Sequence, residues 1–349
     1  MSSSARSSAN LFRVAIAGAA SLKGKEMRDV LSERSFPAVE IKLLDDDESL
    51  GQIEQVNDEP TFIQGVTPDQ LSGVDFTFLT ADAEYITKVW PIVRSSGSEA
   101  IDLSYALESQ KGVELRAPWV ERELGRVHEV ALQSVPVVVA HPASVLLAML
   151  MARIEKAVPV EVASAVIAQP ASEYGRPGMD ELHDQTINLL SFQQLPTAVF
   201  GSQVSFNVSA ESIADAHPSL AEVEARILRH YRQLVRDQVS TPSMMLVQSP
   251  VFHGYTAAIF VLTGKATTAE QLQSALDGAH IIVSSEADEY PSNVNVAGSS
   301  DILASVRADG SGGNGYWIFA ACDNLRVAAI QAVECAEEML HTRPRGQLQ

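Results

Sequence analysis

The sequence predicts an α/β protein: an N-terminal Rossmann-like, doubly wound parallel sheet, followed by a central α+β domain. Three observations carry that prediction. Through residues 12–140 short apolar runs alternate with helical patterns, which is how βαβ units and a parallel sheet read in sequence. The first run ends in a glycine-bearing turn, Gly18-Ala19-Ala20-Ser21-Leu22-Lys23-Gly24, of the kind that opens a dinucleotide-binding crevice. Beyond residue 160 the texture changes to paired extended segments with intervening helices.

The elements follow in order. FRVAIA at 12–17 has the pattern of a buried strand. Residues 25–34 place Met27, Val30 and Leu31 on one helical face, and Phe36-Pro37 stops them. VEIKLL at 39–44 is a second strand and ends in the acidic run Asp45-Asp46-Asp47-Glu48. Further strands are expected at 74–79, 100–103 and 135–140, with a helix at 86–94 that contains Pro91. In the second half strands are expected at 160–167, 244–251, 256–263, 281–284, 302–307 and 316–321. Helices are expected at 146–156, 178–190 and 219–235, the last with Leu220, Val223, Ile227, Leu228, Tyr231 and Leu234 at helical spacing. An Ala-rich helix at 325–340 closes the pattern. The expected organisation is a Ser-rich disordered tail over 1–10, a dinucleotide-binding domain over 11–144 completed by the C-terminal segment 325–349, and an α+β domain over 145–324.

Composition excludes several classes. With 349 residues, 46% hydrophobic and 20% charged, the chain is globular rather than disordered. Lys and Arg total 25 against 44 Asp and Glu, a net charge of −19 that repels phosphate backbones and argues against a nucleic-acid partner. The longest apolar stretch, 145–152, falls far short of the roughly 20 residues that span a bilayer, so no membrane partner is expected. The tail lacks the apolar core of a secretory signal, and two cysteines make no disulfide framework, so a cytoplasmic location is expected. His183, His217, His230 and His253 are scattered without ligand spacing, and no metal site is expected.

Four stretches carry a resemblance: 14–26, GMDELHDQT at 178–186, YPSNVNVAG at 290–298 and CDNLRVAAIQAVECA at 322–336. In this order and at these separations they resemble the aspartate-β-semialdehyde dehydrogenase family, over nearly the whole chain from Phe12 to about Met339. The resemblance implies a dinucleotide-binding first domain to which the last helix returns, a central catalytic and dimerisation domain, and a homodimer. It implies the family reaction, reductive dephosphorylation of an aspartyl phosphate to the semialdehyde with a reduced nicotinamide dinucleotide, through a cysteine thioester.

The resemblance also places site residues. The family nucleophile is a Cys in an Asn-Pro-Asn-Cys motif, and His141-Pro142-Ala143-Ser144 puts Ser144 in its place, at an expected helix N-terminus. Such a position lowers a thiol's pKa but leaves an alcohol protonated, so Ser144 is expected to be a structural N-cap. Tyr255 stands at the family's general-base His, Gln248 at its substrate-binding Arg and Glu108 at a second anion-binding Arg. Gln169 matches the Gln that aligns the nucleophile; in the following loop Ser172 and Gly175 match while Glu173 and Tyr174 differ. With nucleophile, base and both cationic clamps changed together, the family reaction is expected to be lost, leaving a degenerate binding or regulatory paralogue. Two alternatives stand beside this. One is an NAD-dependent oxidoreductase on a different, less anionic aldehyde or acyl substrate. The other is a hydrolase using Ser144 with His253 or His141, where His253 and Tyr255 would share one face if both lay on a strand.

For the cofactor, Gly18, Ser21 and Gly24 are expected around the phosphates, with Ser21 at the family's middle glycine. Asp45 or Asp46 is expected to accept from an NAD ribose, and Ser172 and Asn324 match family cofactor positions. The acidic run after the second strand favours NAD over NADP. The nicotinamide loop reads Thr80-Ala81-Asp82-Ala83, with Asp82 in the way of close approach. The expected partners are a second copy of the chain and a dinucleotide or small-molecule ligand.

Overall fold

The computed structural model describes residues 12–56, 59–126, 135–211, 218–284 and 290–340; the expected disordered tail lies outside them. The first half comprises β1 (Phe12–Ala17), α1 (Leu22–Glu33), β2 (Ala38–Asp45), β3 (Ile53–Val56), β4 (Glu59–Phe62), β5 (Gln64–Gly65), α2 (Pro68–Leu71), β6 (Phe76–Leu79), α3 (Ala83–Ser96) and β7 (Glu99–Asp102). There follow β8 (Glu114–Arg116), α4 (Pro118–Glu123), β9 (Val137–Val139), α5 (Pro142–Ala157), β10 (Val160–Gln169), a 3₁₀ turn (Ala171–Tyr174), α6 (Gly175–Leu190) and α7 (Leu220–Val235). The remainder is β11 (Ser243–Gln248), β12 (Tyr255–Thr263), α8 (Ala269–Leu276), β13 (Ile281–Val283), β14 (Ile302–Ala308), β15 (Gly315–Cys322) and α9 (Asn324–Leu340). They form two compact units. One holds Met1–Glu114, Glu129–Val139 and Ala332–Gln349; the other holds Leu115–His128 and Ala140–Gln331.

Strands β5, β2, β1, β6, β7 and β9 of the first unit belong to a seven-stranded sheet in the order β5-β2-β1-β6-β7-β9-β8. The pairs β5–β2, β2–β1, β1–β6, β6–β7 and β7–β9 are parallel. From β1 the chain moves outward to β2, then returns to β6 on the other side, so the switch point of the sheet lies between β1 and β6. Val14, Ala15, Ile16 and Ala17 are wholly buried, as are Phe76, Phe78 and Leu79; a central parallel strand is covered on both faces and therefore reads as a continuous apolar run. Met27, Val30 and Leu31 of α1 are buried too, the face expected from their spacing. Pro91 sits on the exposed side of α3 without ending it, and Gly97, at φ +75°, closes the helix in the left-handed conformation that glycine adopts freely. Arg34, just past α1, pairs with Glu337 of α9 at 2.6 Å and with Glu334 at 3.4 Å.

The second unit carries a six-stranded mixed sheet in the order β11-β10-β12-β15-β14-β13. One face packs against α5, α7 and α8. Helix α5 is buried all round from Pro142 to Ile154, as its apolar sequence requires of a core helix. Helices α7 and α8 begin with capping boxes, Ser219 with Glu222 and Thr268 with Gln271. The other face of the sheet is different. Registered neighbours Met245, Val166, Ala258 and Phe319 form a row across four strands, and Val166, Met245 and Phe319 are exposed. Directly opposed residues point to the same side, so this row is an apolar surface. No helix among the described residues is long and apolar enough to cross a membrane.

Several elements are absent from the sequence expectations: the β3–β4 hairpin, β5, α2, β8, α4 and α8. Helix α5 begins at Pro142 rather than near residue 146, because proline's fixed φ suits the first helical position.

Candidate functional site

In the first unit, tight packing shapes the turn after β1. A Cβ on Gly18, at φ +99°, would come within 2.2 Å of the Ala81 amide nitrogen, and one on Gly24 within 2.2 Å of the Gly18 carbonyl oxygen. Both glycines thus let α1 close onto β1 and onto the loop after β6. Ser21 caps α1: its Oγ accepts from the Gly24 N–H at 2.9 Å and donates to the Thr80 carbonyl at 2.9 Å. Asp45, buried at the end of β2, accepts from the Ala20 N–H at 2.7 Å and from the Asp46 N–H at 2.9 Å. Burial pushes its carboxyl above the ordinary carboxylate range, against these two hydrogen bonds. Asp82 caps α3 by accepting from the Tyr85 N–H at 2.8 Å. Burial, and then the fields of Asp45, Asp46 and Asp47, push the Tyr85 phenol upward. The residues present fit a dinucleotide: the α1 N-terminus suits a diphosphate and the Asp45 carboxylate suits a ribose diol.

In the second unit, α5, the 3₁₀ turn and β12 bring three side chains together. His141 is the N-cap of α5, and its Nδ1 accepts from the Ala143 N–H at 3.2 Å. The ring proton therefore sits on Nε2, which donates to Glu173 Oε1 at 3.2 Å. Tyr255 donates its phenolic proton to Glu173 Oε2 at 2.9 Å. The His141 and Tyr255 rings meet edge to face, with centroids 5.5 Å apart. Both residues are wholly buried. The His141 main-chain N–H donates to His230 Nδ1 at 3.1 Å. The turn that carries Glu173 is held by the Ala171 and Ser172 amides, which donate to the Val251 and Phe252 carbonyls.

Ser144 is not the N-cap. His141 takes that role because Pro142 starts the helix, and Ser144 lies three residues further on. Its fully buried hydroxyl donates to the Ile227 carbonyl of α7 at 2.8 Å. His253 is not on β12 but in the bend before it, so the shared strand face expected for His253 and Tyr255 does not exist. Burial lowers the His253 pKa, and Asp323 opposes that shift. The structure does not bring Ser144 and His253 into a hydrogen-bonded pair; the Ser144 proton goes to a carbonyl rather than a base.

Gln169 and Gln248 are register partners at the ends of β10 and β11. Gln169 Nε2 donates to Gln248 Oε1 at 3.1 Å, and Gln248 Nε2 donates to the Gln169 and Ser249 carbonyls at 3.2 and 3.0 Å. Ser172 and Asn324 also meet: Asn324 Nδ2 donates to Ser172 Oγ at 3.0 Å, and Asn324 Oδ1 accepts from the Gly254 N–H at 3.0 Å. Asn293, inside the YPSNVNVAG stretch, donates to the His253 carbonyl at 3.1 Å and to that of Gly254. Sequence reasoning missed Glu173 as the shared acceptor and His230 as the residue that holds the His141 backbone. Among the described residues no three His, Cys, Asp or Glu side chains are grouped to hold a metal ion.

Comparison with known proteins decides the family. The model of the semialdehyde dehydrogenase NAD-binding domain matches residues 13–140, and that of the semialdehyde dehydrogenase dimerisation domain matches 150–327. The chain belongs to the semialdehyde dehydrogenase family. Aspartate-semialdehyde dehydrogenase 2 of Vibrio cholerae is 29% identical over 331 residues, covering 93% of this chain and 97% of that one. A crystal structure of aspartate semialdehyde dehydrogenase II from Vibrio cholerae superposes with a TM-score of 0.79 at 26% identity, over 95% of this chain and 99% of the other. A probable aspartate-semialdehyde dehydrogenase from Pseudomonas aeruginosa shares the fold, with a TM-score of 0.82 at 24% identity over 95% of this chain and 98% of that one. The NAD-binding model thus matches the earlier part of the chain and the dimerisation model the later part.

Proposed function

We propose that this member of the semialdehyde dehydrogenase family is a binding or regulatory paralogue that has lost the acyl-enzyme reaction. One observation carries the reading. The hydroxyl at the nucleophile position, Ser144, gives its proton to Ile227, and the side chain at the base position, Tyr255, gives its own to Glu173. An alcohol needs an adjacent base to attack a carbonyl carbon. Tyr255 is itself a donor here and cannot take that proton. Gln248, at the position of an arginine clamp, is neutral and saturated by main-chain and Gln169 contacts, so it does not supply the bidentate cation that an anionic substrate needs.

For the ligand, Asp45 supports NAD over NADP. A nicotinamide dinucleotide supplies hydride transfer when bound; the α1 N-terminus would hold its diphosphate, and Asp45 the adenosine ribose. The homodimer is part of the same proposal, supported by the exposed row Met245, Val166 and Phe319 on the second sheet. So is a cytoplasmic location, which suits Cys322 and Cys335 remaining thiols.

The test is an assay of phosphate-dependent oxidation of aspartate semialdehyde at high protein concentration, with NAD and with NADP. No turnover is expected. Turnover that Ser144→Ala abolishes would overturn the proposal, and turnover on an uncharged aldehyde with NAD would favour an active oxidoreductase instead.

A further inference from the structure

We propose that Lys23 makes the first unit selective for the adenine half of its nucleotide, so that a nucleoside diphosphate or its ribose ester binds without help from nicotinamide. This rests on the reading above that the unit takes an NAD-type ligand. In an open α/β sheet such ligands lie outside the carboxyl ends of the strands, spread to both sides of the switch point. Here side chains tie that edge together at three places. On the β2 side, Asp45 reaches the Ala20 N–H. At the switch point, Ser21 donates to the Thr80 carbonyl just beyond β6. Furthest along, Lys23 Nζ donates to the Leu103 carbonyl just beyond β7 at 2.8 Å, and its ammonium lies over the Tyr105 ring, 4.8 Å from the centroid.

The Lys23 tie is anchored at its far end. Buried Asp102 accepts from the Ser104 and Leu107 amides at 2.7 and 2.9 Å and fixes the loop between them. Tyr105 holds φ +67°, a left-handed conformation that bulky residues rarely adopt. That backbone turn sets the ring under the ammonium. A carbonyl, an aromatic face and the field of the Asp102 carboxylate together hold one cation. The two halves of the edge are therefore unlike. The β2 half offers a diol acceptor and a helix N-terminus. The β6–β7 half, where the second nucleoside of a dinucleotide extends, is spanned by the Lys23 side chain.

The test is calorimetry on the full chain with NAD, ADP-ribose and ADP, repeated for Lys23→Met, which keeps the apolar stem, and for Tyr105→Gly, which removes the ring and suits the left-handed backbone. In the unchanged protein NAD and ADP-ribose are expected to bind within about twofold of each other. In either variant NAD is expected to gain about tenfold over ADP-ribose. An NAD preference of about tenfold in the unchanged protein, or a ratio that neither variant moves, overturns the role of Lys23 while leaving nucleotide binding intact. No heat from any of the three, with an unshifted melting temperature, overturns the nucleotide reading and this inference with it.

Discussion

Tyr255 and Glu173 are joined by a hydrogen bond of 2.9 Å in which the phenol is the donor, and the second carboxylate oxygen serves His141. Two donors thus converge on one buried acceptor group. Glu173→Gln places an amide NH₂ against one of them. It is expected to destabilise by about 1–3 kcal/mol, the cost of an unsatisfied buried polar group. Tyr255→Phe removes one donor, so the double variant should cost less than the sum of the two single changes. Urea denaturation of the four proteins measures this. Additive costs would show that the two side chains do not share the contact.

Ser144 has a structural contact, the hydrogen bond it donates to Ile227. Ser144→Ala should cost about 1 kcal/mol through the lost bond to Ile227, with nucleotide affinity unchanged. Ser144→Cys should not acquire an acyl group from aspartyl phosphate. A thiol buried beside a carbonyl is held protonated, and the thiolate is the nucleophile. Intact-mass measurement after incubation checks this; an added aspartyl mass would contradict it.

The exposed row Met245, Val166 and Phe319 makes a third expectation. If a second copy covers it, Phe319→Asp buries an unpaired charge in the interface and should shift sedimentation from dimer to monomer while leaving the far-ultraviolet circular dichroism in place. A dimer that survives both Phe319→Asp and Met245→Asp would mean that another surface is used.

What could be read from the chain divides along physical lines. β1 was legible to the residue because a central parallel strand is apolar throughout, and the α1 and α7 faces were legible from their spacing. The β3–β4 hairpin was not, since Ile53 and Phe62 are exposed in it and its strands are only four residues long. Helix α8 carries its signal in Thr268 and Gln271, a capping box without a long apolar run behind it. At the candidate site, Ser144, Gln169, Gln248 and Tyr255 were found by resemblance, and the register pairing of Gln169 with Gln248 follows from the two parallel strands. Glu173 stood in the sequence only as a departure from the family loop. Its meaning depends on partners 32 residues earlier and 82 residues later in the chain, a juxtaposition that local pattern cannot supply. The Ser144 N-cap expectation failed because Pro142 moved the helix start one turn earlier.

His253 gives the last expectation, a pH dependence. Burial lowers its pKa in the folded protein below the ordinary value of 6.5, with Asp323 opposing. As pH falls, the unfolded chain therefore takes up the proton first. Stability is fully present above 6.5 and is lost as the pH falls from there through the folded value. Asp45, whose folded pKa is raised by burial, acts in the opposite sense at lower pH: ionisation costs the folded state, so its contribution improves as the pH falls through the carboxylate range. His253→Asn should flatten the loss of stability as the pH falls below 6.5. Chemical denaturation across that range measures it. An unchanged slope below pH 6.5 in the variant would show that His253 takes up its proton equally well folded and unfolded.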